Sequence, residues 1–228
     1  MLILGIDDAG RGPLIGPMIL AGVLVDKDGE SFLKRRGVAD SKTLLHTRRV
    51  ELSKVIEETA LDFHVVKAYP QDIDFAIGQG TNLNTLEAMK TAEIINEINK
   101  TKRQKEKIKV IVDCPSVNIG AWKTKLIGFV KFKGNLEIHC EHRADVNHPS
   151  VSAASILAKC IREEEVAKIR GEFKNYGEIG SGYPADPATK EFLKKNGKEL
   201  KNSGIFRKSW ATWKEIFPEK GQTTLKDF

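Results

Sequence analysis

The sequence predicts an α/β domain with a central mixed five-stranded sheet flanked by helices, plus a small helical extension at the C-terminus. Two observations carry this expectation. Five short apolar runs, rich in β-branched residues, alternate with segments of helical periodicity, as strands covered by helices do. The first two runs are separated by a short connection only, which favours an antiparallel opening pair in a sheet whose other strands are linked through helices.

Residues 1–6 read as a buried strand that ends in two adjacent acids, Asp7 and Asp8, followed at once by Gly10-Arg11-Gly12-Pro13. MILAGVLV, residues 18–25, is the second strand, closed by the turn sequence Asp26-Lys27-Asp28-Gly29. Residues 31–36 are a short basic helix or loop. Asp40-Ser41-Lys42 then precedes a helix over 47–59, with Val50, Leu52, Val55 and Ile56 as its apolar face. Residues 61–68 alternate as a third strand. The helix over 83–99 carries Leu86, Met89, Ala92, Ile95 and Ile98 at helical spacing. A charged connection, 100–109, leads to a fourth strand over 110–112 that ends at Asp113. A helix over 119–130 follows, and a fifth strand over 136–139 runs into Glu141-His142-Arg143-Ala144-Asp145. The longest helix covers 150–173, with one stripe of Val151, Ala154, Ala158 and Ile161 and another of Ser152, Ser155, Lys159 and Arg162. Gly180-Ser181-Gly182-Tyr183-Pro184 breaks the regularity. Helices over 188–195 and 210–216 complete the extension.

The 228 residues suffice for one large domain or a domain with a small extension. Hydrophobic residues at 40% and charged residues at 30% fit a soluble globular protein, and no apolar run approaches the roughly 20 residues of a membrane span. The N-terminus enters a strand directly, without the segments of a signal peptide, so a cytoplasmic location is expected. Cys114, Cys140 and Cys160 are scattered, which argues against a disulfide framework or a structural zinc site. The net charge of +6 suits a polyanionic partner.

Three places share one chemistry. Asp7 with Asp8, Asp113 and Asp145 each stand where a strand ends. Carboxylates gathered at one sheet edge repel one another, and a divalent cation removes that repulsion. Magnesium and manganese favour such oxygen ligands, and a metal pair can activate water for phosphodiester cleavage. Each aspartate taken alone reads first as a helix N-cap or turn residue, which Asp commonly is. Two adjacent acids at one strand end have no such structural need. Glycines around Arg11 let backbone N–H groups approach a ligand closely. Lys42 is a phosphate contact or a solvated lysine, and Tyr183 a stacking platform or a packing residue. The Ser152 to Arg162 stripe faces either a nucleic-acid backbone or solvent.

Taken in order, several stretches resemble the ribonuclease HII family: Gly5-Ile6-Asp7-Asp8-Ala9-Gly10-Arg11-Gly12-Pro13, Asp40-Ser41-Lys42, Val112-Asp113, His142-Arg143-Ala144-Asp145, residues 151–159, and Gly180-Ser181-Gly182-Tyr183-Pro184. The resemblance implies a ribonuclease H-like fold. It implies a magnesium- or manganese-dependent endonuclease that cuts the RNA strand of RNA–DNA hybrids and cuts 5′ to single ribonucleotides in duplex DNA, leaving 3′-hydroxyl and 5′-phosphate. Asp7, Asp8, Asp113 and Asp145 become the acidic metal-binding set. Gly10, Arg11 and Gly12 read the 2′-hydroxyl and adjoining phosphate, with Tyr183 at the sugar and Lys42 as a further substrate contact. The family usually has glutamate where Asp8 stands, which shortens the reach by one methylene and leaves open a catalytically impaired hybrid-binding protein. A phosphoacceptor receiver-like domain also places acids after its first strand, but the Gly-Arg-Gly stretch and Tyr183 loop disfavour it.

The C-terminus resembles a sliding-clamp-binding peptide, with Gln222, Leu225 and Phe228 in the pattern glutamine, aliphatic, aromatic; a frayed polar tail is the alternative. The expected organisation is therefore a catalytic domain over 1–173, a helical extension over 174–218 completing the substrate groove, and a clamp-binding tail over 219–228, acting as a monomer.

Overall fold

The computed structural model describes residues 1–38, 44–100 and 103–218. Lys42 with its Asp40-Ser41 neighbours, and the tail residues Gln222, Leu225 and Phe228, lie outside the described residues.

A five-stranded sheet has the order β3-β2-β1-β4-β5. Its strands are β1 (Leu2–Ala9), β2 (Met18–Val25), β3 (Asp62–Ala68), β4 (Ile108–Asp113) and β5 (Leu136–Glu141). β1, β2 and β3 pair antiparallel, and β1, β4 and β5 pair parallel. The helices are α1 (Lys27–Arg35), α2 (His46–Thr59), α3 (Pro70–Gly78), α4 (Leu83–Ile98), α5 (Ile119–Phe129), α6 (Ala144–Asn147), α7 (Pro149–Glu172), α8 (Pro187–Asn196) and α9 (Ala211–Ile216). The mixed sheet, the antiparallel opening pair and the C-terminal helices match the expectation.

Several boundaries differ for identifiable reasons. β1 runs on through Asp7 and Asp8 to Ala9, because β2 supplies partners as far as the Ala9–Ile19 pair. The acids are therefore strand residues, not residues beyond a strand. Asp26 does not close a turn. Its carboxylate accepts from the Gly29 N–H at 2.8 Å and caps α1. Helix α3, absent from the expectation, starts with Pro70 in its first turn, and the Asp72 side chain accepts from the Tyr69 N–H at 3.0 Å. Val50 and Met89 are exposed, and the buried face of α4 takes in Glu87 and Ala88 instead.

Two cores cover the two faces of the sheet. Leu4, Ile6, Val110 and Val112 pack with α4 and α5 residues such as Leu86, Ile95 and Trp122. Ile3, Ala9 and Ile111 pack on the other face with Val151, Ala154 and Ala158 of α7. Gly5 shows how close α7 comes. A Cβ there would lie 2.2 Å from the Ser150 carbonyl carbon, so only glycine lets helix backbone cross strand backbone. Both stripes of α7 are consequently buried in its first half, Ser152 and Ser155 included. A third core joins Leu14 and Ile15 to Ile179, Phe192, Phe206 and Trp213 of the extension.

Candidate active site

Strand alternation divides the acids between the two faces. Successive side chains of β1 point oppositely, so Asp7 shares the α7 face with Ile3 and Ala9, and Asp8 the α4 face with Leu4 and Ile6. The parallel register pairs Ile6 with Val112, which sets Asp113 beside Asp7 one residue further on. Asp113 Oδ1 accepts from the Ala144 N–H at 3.1 Å. That bond ties the end of β4 to the start of α6, where Asp145 is buried at 1% exposure. Arg143, immediately before, adopts φ 59, a left-handed conformation in a residue other than glycine. Strain of this kind persists only where neighbouring contacts hold it.

A cavity of about 620 Å³ opens at this edge of the sheet. It brings together Asp7, Asp8, Asp113, Gly10, Arg11, Gly12 and Tyr183, with Ser155, Lys159 and Arg162 of α7 on its wall. Asp145 is not among its lining residues. Asp7 is 7% exposed, accepts from the Ser155 hydroxyl and is held well above the usual carboxylate range, first by burial and then by the charge of Asp8. Burial likewise raises Asp8 to about 6, against the pull of Arg11.

The Gly10-Arg11-Gly12 loop is packed at Gly10 and open to the cavity at Gly12. Gly10 has φ +81, and a Cβ on it would meet Arg162 Nε at 2.3 Å. Leu14 N–H donates to Gly182 O at 2.7 Å, which carries the neighbouring Tyr183 to the loop. The Arg162 guanidinium lies 5.6 Å from the centre of the Tyr183 ring, and its Nε and Nη2 are buried without a hydrogen bond among the described residues. Arg11 Nη2 donates to Asn84 Oδ1 at 2.7 Å, and Nη1 lies 3.3 Å from Glu87.

Sequence reasoning missed Glu87. It is 1% exposed, and neither carboxyl oxygen accepts a hydrogen bond among the described residues. Burial, followed by the charge of Asp8, pushes it up to about 8 in spite of Arg11. Burial thus favours its protonated form, in opposition to the Arg11 guanidinium beside it. The available signal was an acid beside Leu86 inside an apolar helix face. Arg207 and Trp210, which hold the loop from behind, carried no signal at all.

The donors around the cavity are oxygens, which suits magnesium or manganese and not a thiolate-seeking metal. Among the described residues, no three His, Cys, Asp or Glu side chains converge on one cation position. Magnesium typically takes only one or two carboxylates together with phosphate and water, so Asp7 beside Asp113 fits that mode.

Acids at a sheet edge, a glycine loop open to a ligand, and cations on the wall define a metal-dependent hydrolase of phosphodiesters. The Ribonuclease HII family profile matches residues 4–213. The chain is 38% identical to Ribonuclease HII of Methanobrevibacter smithii, over 93% of this chain and 96% of that one. It is 37% identical to Ribonuclease HII of Pyrococcus furiosus, over 100% of this chain and 98% of that one. Among solved structures, the ribonuclease H2 of Pyrococcus horikoshii OT3 superposes with a TM-score of 0.81 at 34% identity, covering 95% of this chain and 97% of that one. The PCNA:RNase HII complex of Archaeoglobus fulgidus gives 0.78 at 32% identity, covering 100% of both chains. This chain belongs to the ribonuclease HII family, and is an endonuclease acting on RNA–DNA hybrids.

Proposed function

We propose that this enzyme incises duplex DNA on the 5′ side of a single embedded ribonucleotide, as well as cutting the RNA strand of hybrids, and leaves 3′-hydroxyl and 5′-phosphate. The observation that carries this reading is the single cavity shared by Asp7, Asp8, Asp113, the Gly10-Arg11-Gly12 loop and Tyr183. Acids that hold metal thereby stand beside backbone groups able to read a 2′-hydroxyl, the feature that separates RNA from DNA.

Asp7, Asp8, Asp113 and Asp145 are the acidic metal-binding set in this proposal. The chemistry a bound Mg²⁺ or Mn²⁺ supplies is activation of water and stabilisation of the leaving oxygen. Ser155 holds the Asp7 carboxyl in place, and the Ala144 N–H does the same for Asp113. The amides of the glycine loop contact the ribose, Tyr183 stacks on the adjoining sugar, and Arg162 with Lys159 faces the phosphate backbone. Lys42 is a further phosphate contact. The catalytic domain is 1–173, and 174–218 completes the groove. The last ten residues, 219–228, tether the enzyme through Gln222, Leu225 and Phe228 to a sliding clamp; the complex formed by the Archaeoglobus fulgidus relative supports this. In this proposal the enzyme works in the cytoplasm as a monomer.

A strand-labelled DNA duplex with one ribonucleotide tests the reading. Cutting 5′ to the ribonucleotide, only with metal, is expected. A chain ending at residue 218 should cut the free duplex equally well and lose capture by the clamp. Cutting at other positions, or cutting that persists in chelator, overturns the assignment.

A further inference from the structure

The segment at 207–210 grips three consecutive carbonyls of the glycine loop. Arg207 is fully buried. Its Nη2 donates to Gly10 O at 2.6 Å and to Gly16 O at 2.9 Å, its Nη1 to Arg11 O at 2.7 Å, and its Nε to Gly16 O at 3.1 Å. Trp210 Nε1 donates to Gly12 O at 3.0 Å, and its ring centre lies 5.0 Å from the Arg207 guanidinium carbon. The segment is itself anchored. Asp74 of α3 accepts from the Lys208 N–H at 2.8 Å, and from the Ser209 N–H and hydroxyl at 2.9 and 2.6 Å.

Burying a guanidinium is costly, and Arg207 forms no ion pair among the described residues. Burial lowers it to about 9, so it remains charged at neutral pH. Its partners are main-chain carbonyls, and their geometry has a consequence for the amides. In a trans peptide the C=O of one residue and the N–H of the next share a plane and point oppositely. Drawing Gly10 O and Arg11 O toward Arg207 turns the N–H groups of Arg11 and Gly12 away from it. Neither amide has a hydrogen-bond acceptor among the described residues.

We propose that Arg207, assisted by Trp210, is a positioning residue for ribose recognition, which aims the Arg11 and Gly12 amides at the 2′-hydroxyl. The inference rests on the proposed reading of the glycine loop and deepens it. Selectivity then depends on the extension, about two hundred residues along the chain from the loop it orients. A lysine at 207 keeps the charge but lacks the planar fork that engages several carbonyls together.

The test compares binding of a DNA duplex with one ribonucleotide against the same duplex without it, in calcium to suppress turnover, alongside melting temperature. For Arg207→Lys, the preference for the ribonucleotide duplex should fall about tenfold or more, while affinity for the all-DNA duplex holds. Trp210→Phe keeps a ring over Arg207 and loses the Gly12 bond, so a several-fold fall is expected. Gly12→Ala reports on the loop itself. If Gly12→Ala keeps the full preference, the loop does not read the ribose and the underlying reading fails. If Gly12→Ala collapses the preference while a folded Arg207→Lys keeps it, this inference alone is overturned. Should Arg207→Lys not fold, an unchanged preference in Trp210→Phe overturns it, and a several-fold loss supports it.

Discussion

Replacing Gly12 by alanine separates what the fold needs from what the substrate needs. Two glycines flank Arg11, and their surroundings differ. At Gly10, φ is +81, and an added Cβ would lie 2.3 Å from Arg162 Nε and 2.9 Å from Pro17 O. Left-handed backbone alone costs about 1–2 kcal/mol for a residue with a Cβ, before any displacement of Arg162. Gly12 has no such constraint. Its φ lies outside the left-handed range, and the nearest atom to an added Cβ is Tyr183 Cε1, at 3.6 Å. Alanine therefore fits the folded chain in ordinary contact, and stabilises it by up to about 1 kcal/mol through the unfolded state. In a chain of this size that is a rise of roughly 2–4 °C at most. The same methyl group stands between the loop and the Tyr183 ring, where a ribose must come within about 3 Å of the Gly12 amide to hydrogen-bond. Carbon atoms do not approach much inside about 3.5 Å, so the sugar is pushed outward by roughly 0.5 Å, about half of the ~1 Å misplacement that is worth about 10²-fold, and a loss of about tenfold in rate is expected. Melting curves with single-turnover cleavage of the ribonucleotide duplex make the measurement. Gly10→Ala should lose both stability and activity, and Gly12→Ala activity alone. Wild-type cleavage by Gly12→Ala, or melting as depressed as that of Gly10→Ala, would refute the reasoning.

Two further outcomes follow from the buried acids. Asp7→Asn should abolish cleavage yet raise the melting temperature of the metal-free protein by a few degrees, because it removes the carboxylate that burial and Asp8 hold well above its usual range; a lowered melting temperature would contradict this. Glu87 is raised to about 8 in the fold from an ordinary 4.5, so the folded state binds the extra proton and stability from this group falls as pH rises from about 4.5 through about 8. Glu87→Gln removes that dependence, and in chelator it should gain on the wild type by on the order of 1–3 kcal/mol between pH 5 and pH 8. Parallel stability curves for the two proteins would count against the assignment of the proton to Glu87.

Much of the fold was legible because strands and helices announce themselves by period. β2 at Met18–Val25 and α4 at Leu83–Ile98 are long, apolar and regular, and their expected bounds lie within a residue or so of those found. α3 was not legible: its nine residues begin at a proline and carry only Pro70 and Ile73 as buried residues, too little for a stripe. Asp26 was misread because capping and turn formation use the same side-chain chemistry, and only the chain that follows decides between them. The candidate site divides along the same line. Asp7, Asp8, Asp113 and the glycine loop are contiguous with strands, so their convergence follows once the strands pair in order. Arg207 meets Gly10 across 197 positions of sequence, next to the third core that joins Leu14 and Ile15 to the extension.

The pair at Asp7 and Asp8 takes its sense from strand alternation. If both acids lay beyond the strand, a flexible end could turn them the same way. Because β1 continues to Ala9, they are fixed on opposite faces. Asp7 joins Asp113 on the α7 side, and Asp8 turns toward Arg11 and Glu87 on the α4 side. A glutamate at position 8 has one more methylene with which to reach around the strand end; aspartate does not. Asp8 carries its charge toward Glu87, which burial raises first and Asp8 second, and toward Arg11, whose guanidinium donates to Asn84. Arg11 thus ties the glycine loop to α4 through Asn84 and lies 3.3 Å from Glu87 on the same helix.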